Sequence, residues 1–324
     1  MSDKSIFYSD SNFKPLSIDF SNIDIDQNYF GYPLQIPYIH ISGKNNGPKL
    51  VLIAGIHGDE LNGVQIIHQI AQILQSHLLE KGQILMVPIV NVPGFNTHSR
   101  YLPDRRDLNR LFPGSAESTE GHRLADLIWK SFIEDANYGI DLHSASYSRW
   151  NYPHIRANMK NKSIKNMAQQ FGADIILHSK GVKGSLRRSA QDANIPFILF
   201  EAGQTNRFEN NLCDIGVMGI LGVMRHLEMI KSKPQNYLWP KPTLQYYQNS
   251  HWIRANGAGL FVPNAVPGDT VSEETLLGSI FTLTGKLASK ITNNKSGRIM
   301  GFNLHPQVVP GRALFHVAYK PIEI

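Results

Sequence analysis

A histidine and a glutamate three residues apart, His57-Gly-Asp-Glu60, stand directly after the apolar run Leu50 to Ile56. Imidazole nitrogen and carboxylate oxygen are both zinc ligands, and this spacing at the start of a helix lets two side chains reach one ion. Spacing alone is a weak signal. With 13 histidines and 11 glutamates among 324 residues, chance gives roughly 0.4 such pairs. His77-Leu-Leu-Glu80 repeats the spacing at the far end of the same expected helix, about 30 Å away, where it reads as a solvated helix end.

The surrounding elements separate the two pairs. Strands are expected over Ile36 to Ser42, Leu50 to Ile56, Ile84 to Val90, Gly139 to Leu142, Asp174 to His178 and Pro196 to Phe200. Helices are expected over Asp59 to Leu79, Glu120 to Asp135, Ser163 to Phe171, Ser185 to Asp192 and 212 to 231. Apolar strands alternating with amphipathic helices argue for an α/β domain, its sheet largely parallel and covered on both faces. Ligands of such sheets bind beyond the carboxyl ends of the strands. His57, His143 and Glu201 each follow or close one of these strands, so parallel neighbours would bring them to one rim. Two histidines and one glutamate are a known catalytic zinc set with a position left for water, which leaves Glu201 free as a base. Asp141, two residues before His143 and on the same strand face, could orient a ligand imidazole, His57 foremost, or simply cap backbone amides.

The segment Arg100 to Gly114 hangs over the same rim. Its arginines, with Asn109, suit a clamp on a substrate carboxylate and one cation near a developing oxyanion. Arg105 reads as part of a solvated basic loop. His98, Tyr147, Arg149 and Tyr152 flank the expected site as candidate pocket walls; the remaining histidines read as surface or core residues.

Beyond a proline-rich stretch, Lys233 to Pro242, the texture changes to short β-rich runs punctuated by glycine. The expected organisation is a catalytic domain over 1–232, a linker over 233–249 and a small all-β domain, sandwich or barrel, over 250–324. A net charge of +6 and a pI near 9.2 come without a recognition helix or stacking aromatics, which argues against nucleic acid and suits anionic small molecules. No apolar run is long enough to span a membrane, and the start MSDKSIFYSDSNF lacks a signal-peptide pattern, so the expected address is the cytoplasm. Cys213 is the single cysteine, so no intrachain disulfide or cysteine-rich metal site can form. With no G-x-S-x-G elbow, and with Cys213 in an apolar helical run, a serine or cysteine hydrolase is disfavoured.

The order HGDE, DLNR followed by FPG, DLHS and FEAG resembles the succinylglutamate desuccinylase and aspartoacylase family, itself similar to zinc carboxypeptidases, over about residues 34 to 230. The resemblance implies one zinc ion per chain on His57, Glu60 and His143, with Glu201 as proton shuttle. It implies that Asn109 and Arg110 bind the substrate's α-carboxylate and that Arg100 stabilises the oxyanion. Arg106 is the alternative for that last role, since the stretch between Arg100 and Asp107 is longer than the family pattern. It further implies a carboxypeptidase-like mixed sheet, mostly parallel with helices on both faces, followed by a small β domain. The turn Val266-Pro-Gly-Asp-Thr-Val271 is similar to one in a lipoyl-like barrel. The implied activity is hydrolysis of the amide of a small N-acyl amino acid, with a homo-oligomer compatible. A zinc carboxypeptidase using the same residues and a non-catalytic metal-binding protein are the rival readings.

Overall fold

The computed structural model describes residues 17–27, 33–76, 79–231 and 243–322. The apolar runs of the first 230 residues form β1 (Ser17–Gln27), β2 (Pro33–Ser42), β3 (Asn45–Ala54), α1 (Asn62–Ser76), β4 (Lys81–Val87) and the short α2 (Val92–Asn96). They continue through α3 (Glu120–Ile128), β5 (Tyr138–His143), β6 (Arg149–Ala157), α4 (Lys162–Phe171), β7 (Ile175–His178), α5 (Leu186–Asp192), β8 (Phe197–Gly203) and α6 (Asn210–His226). The C-terminal strands are β9 (Gln245–Arg254), β10 (Gly259–Pro263), β11 (Thr270–Val271), β12 (Leu276–Phe281), β13 (Leu287–Thr292), β14 (Gly297–Asn303), β15 (Gln307–Val308) and β16 (Ala313–Pro321).

This is an α/β fold built on one mixed twelve-stranded sheet, ordered β1-β2-β4-β3-β5-β8-β6-β7-β9-β16-β14-β11. Its centre, β4-β3-β5-β8, is parallel, and β6-β7-β9 forms a second parallel run. The remaining pairings are antiparallel. Strands β3, β5 and β8 lie between helices, so Leu-Val-Leu-Ile-Ala and Phe-Ile-Leu-Phe are apolar on both faces rather than alternating. One face packs on α1, α4 and α6, the other on α3 and α5. Gly216 and Gly219 let α6 approach closely, since a Cβ at either would collide with Ile66 or the Phe171 ring.

Several expectations shift. The helix expected from Asp59 begins at Asn62, so His57 to Glu60 form a turn ahead of it, closed by the Glu60 N–H donating to His57 O at 3.2 Å. His77 of the second His-Glu pair and the proline-rich stretch Lys233 to Pro242 lie outside the described residues. The expected linker runs too far, because residues 245–249 already belong to β9, where Gln245 to Tyr247 pair with β7. Nor do the C-terminal strands stand apart. β9, β16, β14 and β11 extend the main sheet, and only β13-β12-β10-β15 make a second, antiparallel one. Two strands escaped the periodicity. β1 alternates Ile18, Phe20, then Ile23, Ile25, out of phase by one residue, and β6 mixes polar and aromatic residues around Pro153.

Candidate active site

Strands β3, β5 and β8 end side by side, with Ala54 in register with Leu142 and His143 in register with Glu201. The rim expected from the sequence therefore exists. His57 reaches it through Gly55, whose φ of +61° turns the chain, and Gly58, which passes against α2 so closely that a Cβ would overlap the backbone of Gly94 and Phe95. The Gly58 N–H donates to Ser99 O at 3.0 Å, fixing this turn to the segment that carries Arg100.

Glu60 sits between the two histidines. His57 Nδ1 lies 2.7 Å from Oε1 and His143 Nδ1 lies 2.8 Å from Oε2, where the Ser144 N–H also donates at 2.9 Å. One ligand atom from each of the three residues falls within 4.8 Å of the others, so the group could hold a metal ion. All three side chains are buried. Burial alone would raise the Glu60 pKa, but the adjacent His57 and His143 outweigh it and hold the carboxyl well below its usual range. Burial likewise opposes protonation of the histidines, and it is overcome at His57 by Glu60 and Asp107 and at His143 by Asp141 and Glu60.

The outer nitrogens of the two rings have partners of their own, which fixes how the rings face the centre. The sequence pointed to His57 as the imidazole beside Asp141, but Asp141 pairs with His143: its Oδ2 lies 3.0 Å from His143 Nε2. That contact has ion-pair distance without hydrogen-bond alignment, for among the described residues both Asp141 oxygens lack a hydrogen-bond partner. Alternation along β5 puts the two side chains on one face only two residues apart, so Asp141 meets its own strand neighbour first. His57 Nε2 lies instead 3.2 Å from Asp107 Oδ1, and Asp107 Oδ2 accepts from Arg100 Nη2 at 3.0 Å. Sequence reasoning gave Asp107 no role, although it opens the DLNR motif. Arg100 Nη1 is 3.3 Å from Glu60 Oε1, which brings that guanidinium against the His57-Glu60-His143 cluster.

Glu201 stands across from His143 on the neighbouring strand. Asn151 Nδ2 donates to its Oε2 at 2.8 Å, and Arg156 Nε approaches its Oε1 at 3.5 Å. Both partners come from β6, the strand that the sequence did not reveal. Asn109, in a 3-10 turn over Leu108–Arg110, is buried; its Oδ1 accepts the Leu186 N–H at 2.8 Å and its Nδ2 faces His143 Nε2 at 3.5 Å.

A cavity of 890 Å³ opens over these residues, lined by His57, Glu60, Asp107, Asn109, His143 and Glu201. Five arginines line it, Arg100, Arg110, Arg149, Arg156 and Arg187, against the three carboxylates of Glu60, Asp107 and Glu201. Arg187 is buried, and burial with the nearby Arg156 lowers its pKa to about 10. Tyr147 and Arg149 are part of the wall as expected; His98 and Tyr152 are not. Arg106, the expected alternative to Arg100 at the oxyanion and a candidate for contact with substrate, is turned away from the cavity that Arg100 lines. Its Nη1 donates to Thr119 Oγ1 at 2.6 Å and its Nε lies 3.5 Å from Asp104 Oδ2. The cause is local: the Leu102 N–H donates to Arg106 O, closing a tight loop through Arg105 at φ +66° that leaves Arg100 inside and Arg106 outside.

Residues 46–227, more than half of the chain, match the model of the succinylglutamate desuccinylase/aspartoacylase catalytic domain. The chain belongs to the succinylglutamate desuccinylase/aspartoacylase family. Among its relatives, the N-alpha-acetyl-L-2,4-diaminobutyric acid deacetylase of Halomonas elongata is 22% identical over 81% of this chain and 78% of its own length. A succinylglutamate desuccinylase of Photorhabdus laumondii is 34% identical, over 30% of this chain and 33% of its own. Family members also share the fold. A succinylglutamate desuccinylase/aspartoacylase structure from Rhodobacter sphaeroides superimposes with a TM-score of 0.81 at 23% identity, covering 96% of this chain and 97% of that one. The product-bound ectoine utilization protein EutE (DoeB) of Ruegeria pomeroyi gives 0.81 at 20% identity, over 95% and 96%. Coverage of this extent includes the C-terminal strands, so the family fold embraces them. No helix among the described residues is long and apolar enough to cross a membrane.

Proposed function

We propose that this chain is a zinc-dependent deacylase that hydrolyses the amide bond of a small N-acyl amino acid. The observation that carries the reading is the meeting of the buried His57-Glu60-His143 cluster with Glu201 at the floor of an arginine-lined cavity. The donor set suits zinc, since two imidazoles turn Nδ1 onto one buried carboxylate and each ring has an acidic residue at its outer nitrogen. When bound, zinc supplies Lewis acidity to the scissile carbonyl and lowers the pKa of the attacking water.

The chain's own groups do the rest. Glu201, steadied by Asn151 and Arg156, accepts the proton of the attacking water and returns it to the leaving amine. Arg100, anchored by Asp107, holds the negative charge that develops on the carbonyl oxygen. Asn109 and Arg110 hold the α-carboxylate: the Asn109 amide nitrogen faces the cluster, and Arg110 is half exposed at the cavity wall with Nη1 on Asn109 O at 2.6 Å. The deacetylase and desuccinylase names of the relatives support this class of substrate. Ser250, Trp252 and His316 of the C-terminal strands line the cavity and bound the space for substrate, which favours small molecules over polypeptides.

The test is release of free amine from a panel of N-acyl amino acids and dipeptides, with zinc and with chelator, for wild type and Glu201→Gln. Chelator-sensitive deacylation by wild type is expected, and Glu201→Gln should keep its zinc while losing about 10²-fold or more in kcat. Cleavage of dipeptides alone would replace the deacylase with a carboxypeptidase, and full turnover by Glu201→Gln would remove Glu201 from the mechanism.

A further inference from the structure

Glu209 directly precedes α6, yet its side chain does not cap the helix. Its carbonyl opens the first turn, accepting from the Leu212 and Cys213 N–H groups at 2.8 and 3.0 Å. A Ser, Thr, Asp or Asn here would turn a side-chain oxygen onto the amides of that turn. The Glu209 carboxylate turns the other way. Oε1 accepts from the Trp150 indole Nε1 at 2.7 Å, and Oε2 accepts from the Gln204 N–H at 2.8 Å and from Asn62 Nδ2 at 3.5 Å. Asn62 returns the contact, its Oδ1 accepting the Glu209 N–H at 2.9 Å. Among the described residues no cation pairs with this half-buried carboxylate, so its oxygens are given to three neutral donors.

Those donors belong to three segments of the candidate active site. Gln204 lies three residues beyond Glu201, Asn62 lies two beyond Glu60, and Trp150 directly precedes Asn151, whose Nδ2 donates to Glu201 Oε2. The sheet is irregular where the last of these sits. β6 runs antiparallel to β8 with Asn151 opposite Gly203 and His154 opposite Glu201, three residues set against two. A bulge of this kind interrupts the ladder, here along the stretch that faces Glu201. On its other side this part of β6 is held by β14, which pairs Trp150 and Asn151 with Phe302 and Gly301, and by Arg149, whose guanidinium carbon lies 4.6 Å from the centroid of the Trp252 ring. Towards β8 the indole bond to Glu209 takes the place of the broken ladder. Successive side chains leave opposite faces of a strand, so tying Trp150 to Glu209 sets how far the Asn151 amide stands towards Glu201.

We propose that Glu209 is a positioning residue for the hydrolytic step: through the Trp150 indole it fixes where Asn151, and with it the Glu201 carboxylate, stands beside the His57-Glu60-His143 cluster. The inference rests on the deacylase reading, since it acts through Glu201. A carboxylate is required because three donors converge on it; a carboxamide offers one oxygen and turns its own N–H groups against at least one of them.

The test is steady-state kinetics of the zinc-loaded full chain on whichever compound of the N-acyl amino acid panel wild type turns over fastest. Glu209→Gln and Trp150→Phe are each made in wild type and in Glu201→Gln. In wild type each should lower kcat about tenfold with KM within about twofold, since a misplaced proton acceptor costs turnover and not binding. Trp150→Phe keeps the ring and removes the indole N–H, so it reads the link even if Glu209→Gln does not fold. In Glu201→Gln the same substitutions should cost less than about twofold more, because the group that they position is already disabled. An equal tenfold loss in both backgrounds, a raised KM at unchanged kcat, or wild-type kcat in Trp150→Phe overturns the inference alone. Wild type inert on the whole panel, or Glu201→Gln as fast as wild type, overturns the reading beneath it and the inference with it.

Discussion

His57 and Asp107 are fifty residues apart in the chain and 3.2 Å apart at the ring Nε2. The same carboxylate reaches Arg100 through its other oxygen, so one side chain ties a histidine of the proposed metal site to the cation beside it. Burial would raise the Asp107 pKa, but His57 and then Arg100 keep it well below the carboxylate range. Asp107→Ala should therefore free the His57 ring and weaken zinc affinity about 10- to 100-fold. Competition with a chromophoric chelator measures this directly, and unchanged affinity would reduce Asp107 to an anchor for Arg100.

Arg100 and Arg106 offered one role to two residues, and the loop geometry separates them. Arg100→Ala should lower kcat about 10²-fold, as loss of a charge-stabilising donor does, with a smaller effect on KM. Arg106→Ala, at an exposed position paired with Asp104 and Thr119, should stay within about twofold of wild type. Steady-state kinetics on one N-acyl amino acid compares them. The reverse order would mean that the loop rearranges around substrate.

How much of this was written in the sequence depends on what holds each residue. His57, Glu60, His143 and Glu201 could be gathered on paper because each abuts an apolar strand of the parallel centre, where position along the chain translates into position on a rim. Asn151 and Arg156 could not, and Arg149 could be placed only as a candidate pocket wall, because they ride on β6, whose Trp-Asn-Tyr-Pro-His-Ile-Arg mixes polar and aromatic residues around a proline and shows no period. Their nearness to Glu201 and Trp252 is a matter of strand order, β8-β6-β7-β9, which no local pattern encodes. The partner of His57 was missed for a related reason: alternation along β5 correctly put Asp141 and His143 on one face, but how the 100–110 loop folds back over the rim is a tertiary event.

Gly58 of the HGDE motif has a reason independent of metal chemistry. Its Cα faces the backbone of Gly94 and Phe95 with no room for a methyl group, and backbone cannot swing aside as a side chain can. Gly58→Ala should cost about 1–3 kcal/mol of stability and, by shifting His57, release zinc as well. Thermal melts with and without zinc test both parts. A melting point equal to wild type in each condition would show that α2 gives way freely.

His154 supplies a pH dependence that lies outside the metal cluster. It is fully buried; Nδ1 lies 2.7 Å from Tyr152 O, and among the described residues Nε2 has no hydrogen-bond partner. Burial first, then the charge of Arg156, push its pKa down to about 3. Burial also lowers that of His316. A histidine with a depressed folded pKa binds fewer protons when folded than when unfolded. Its contribution is complete above the unfolded value near 6.5 and is lost as pH falls towards the folded value, at up to about 1.4 kcal/mol per pH unit. The carboxylates held low, Glu60 and Asp107, lose their contribution only below about pH 4.5, so the window from pH 6 to 4.5 lies above their loss. Asp59 and Asp214, raised by burial, oppose the histidines there, and His178 and His251 add to them, so it is the difference between wild type and variant that isolates His154. In metal-free protein, where zinc release cannot interfere, wild type should lose stability steadily across that window, and His154→Leu should lose it with a slope smaller by close to one proton. Denaturant titrations at several pH values give both slopes. Equal slopes would mean that His154 is protonated in the folded protein, with water or Glu201 reaching its ring.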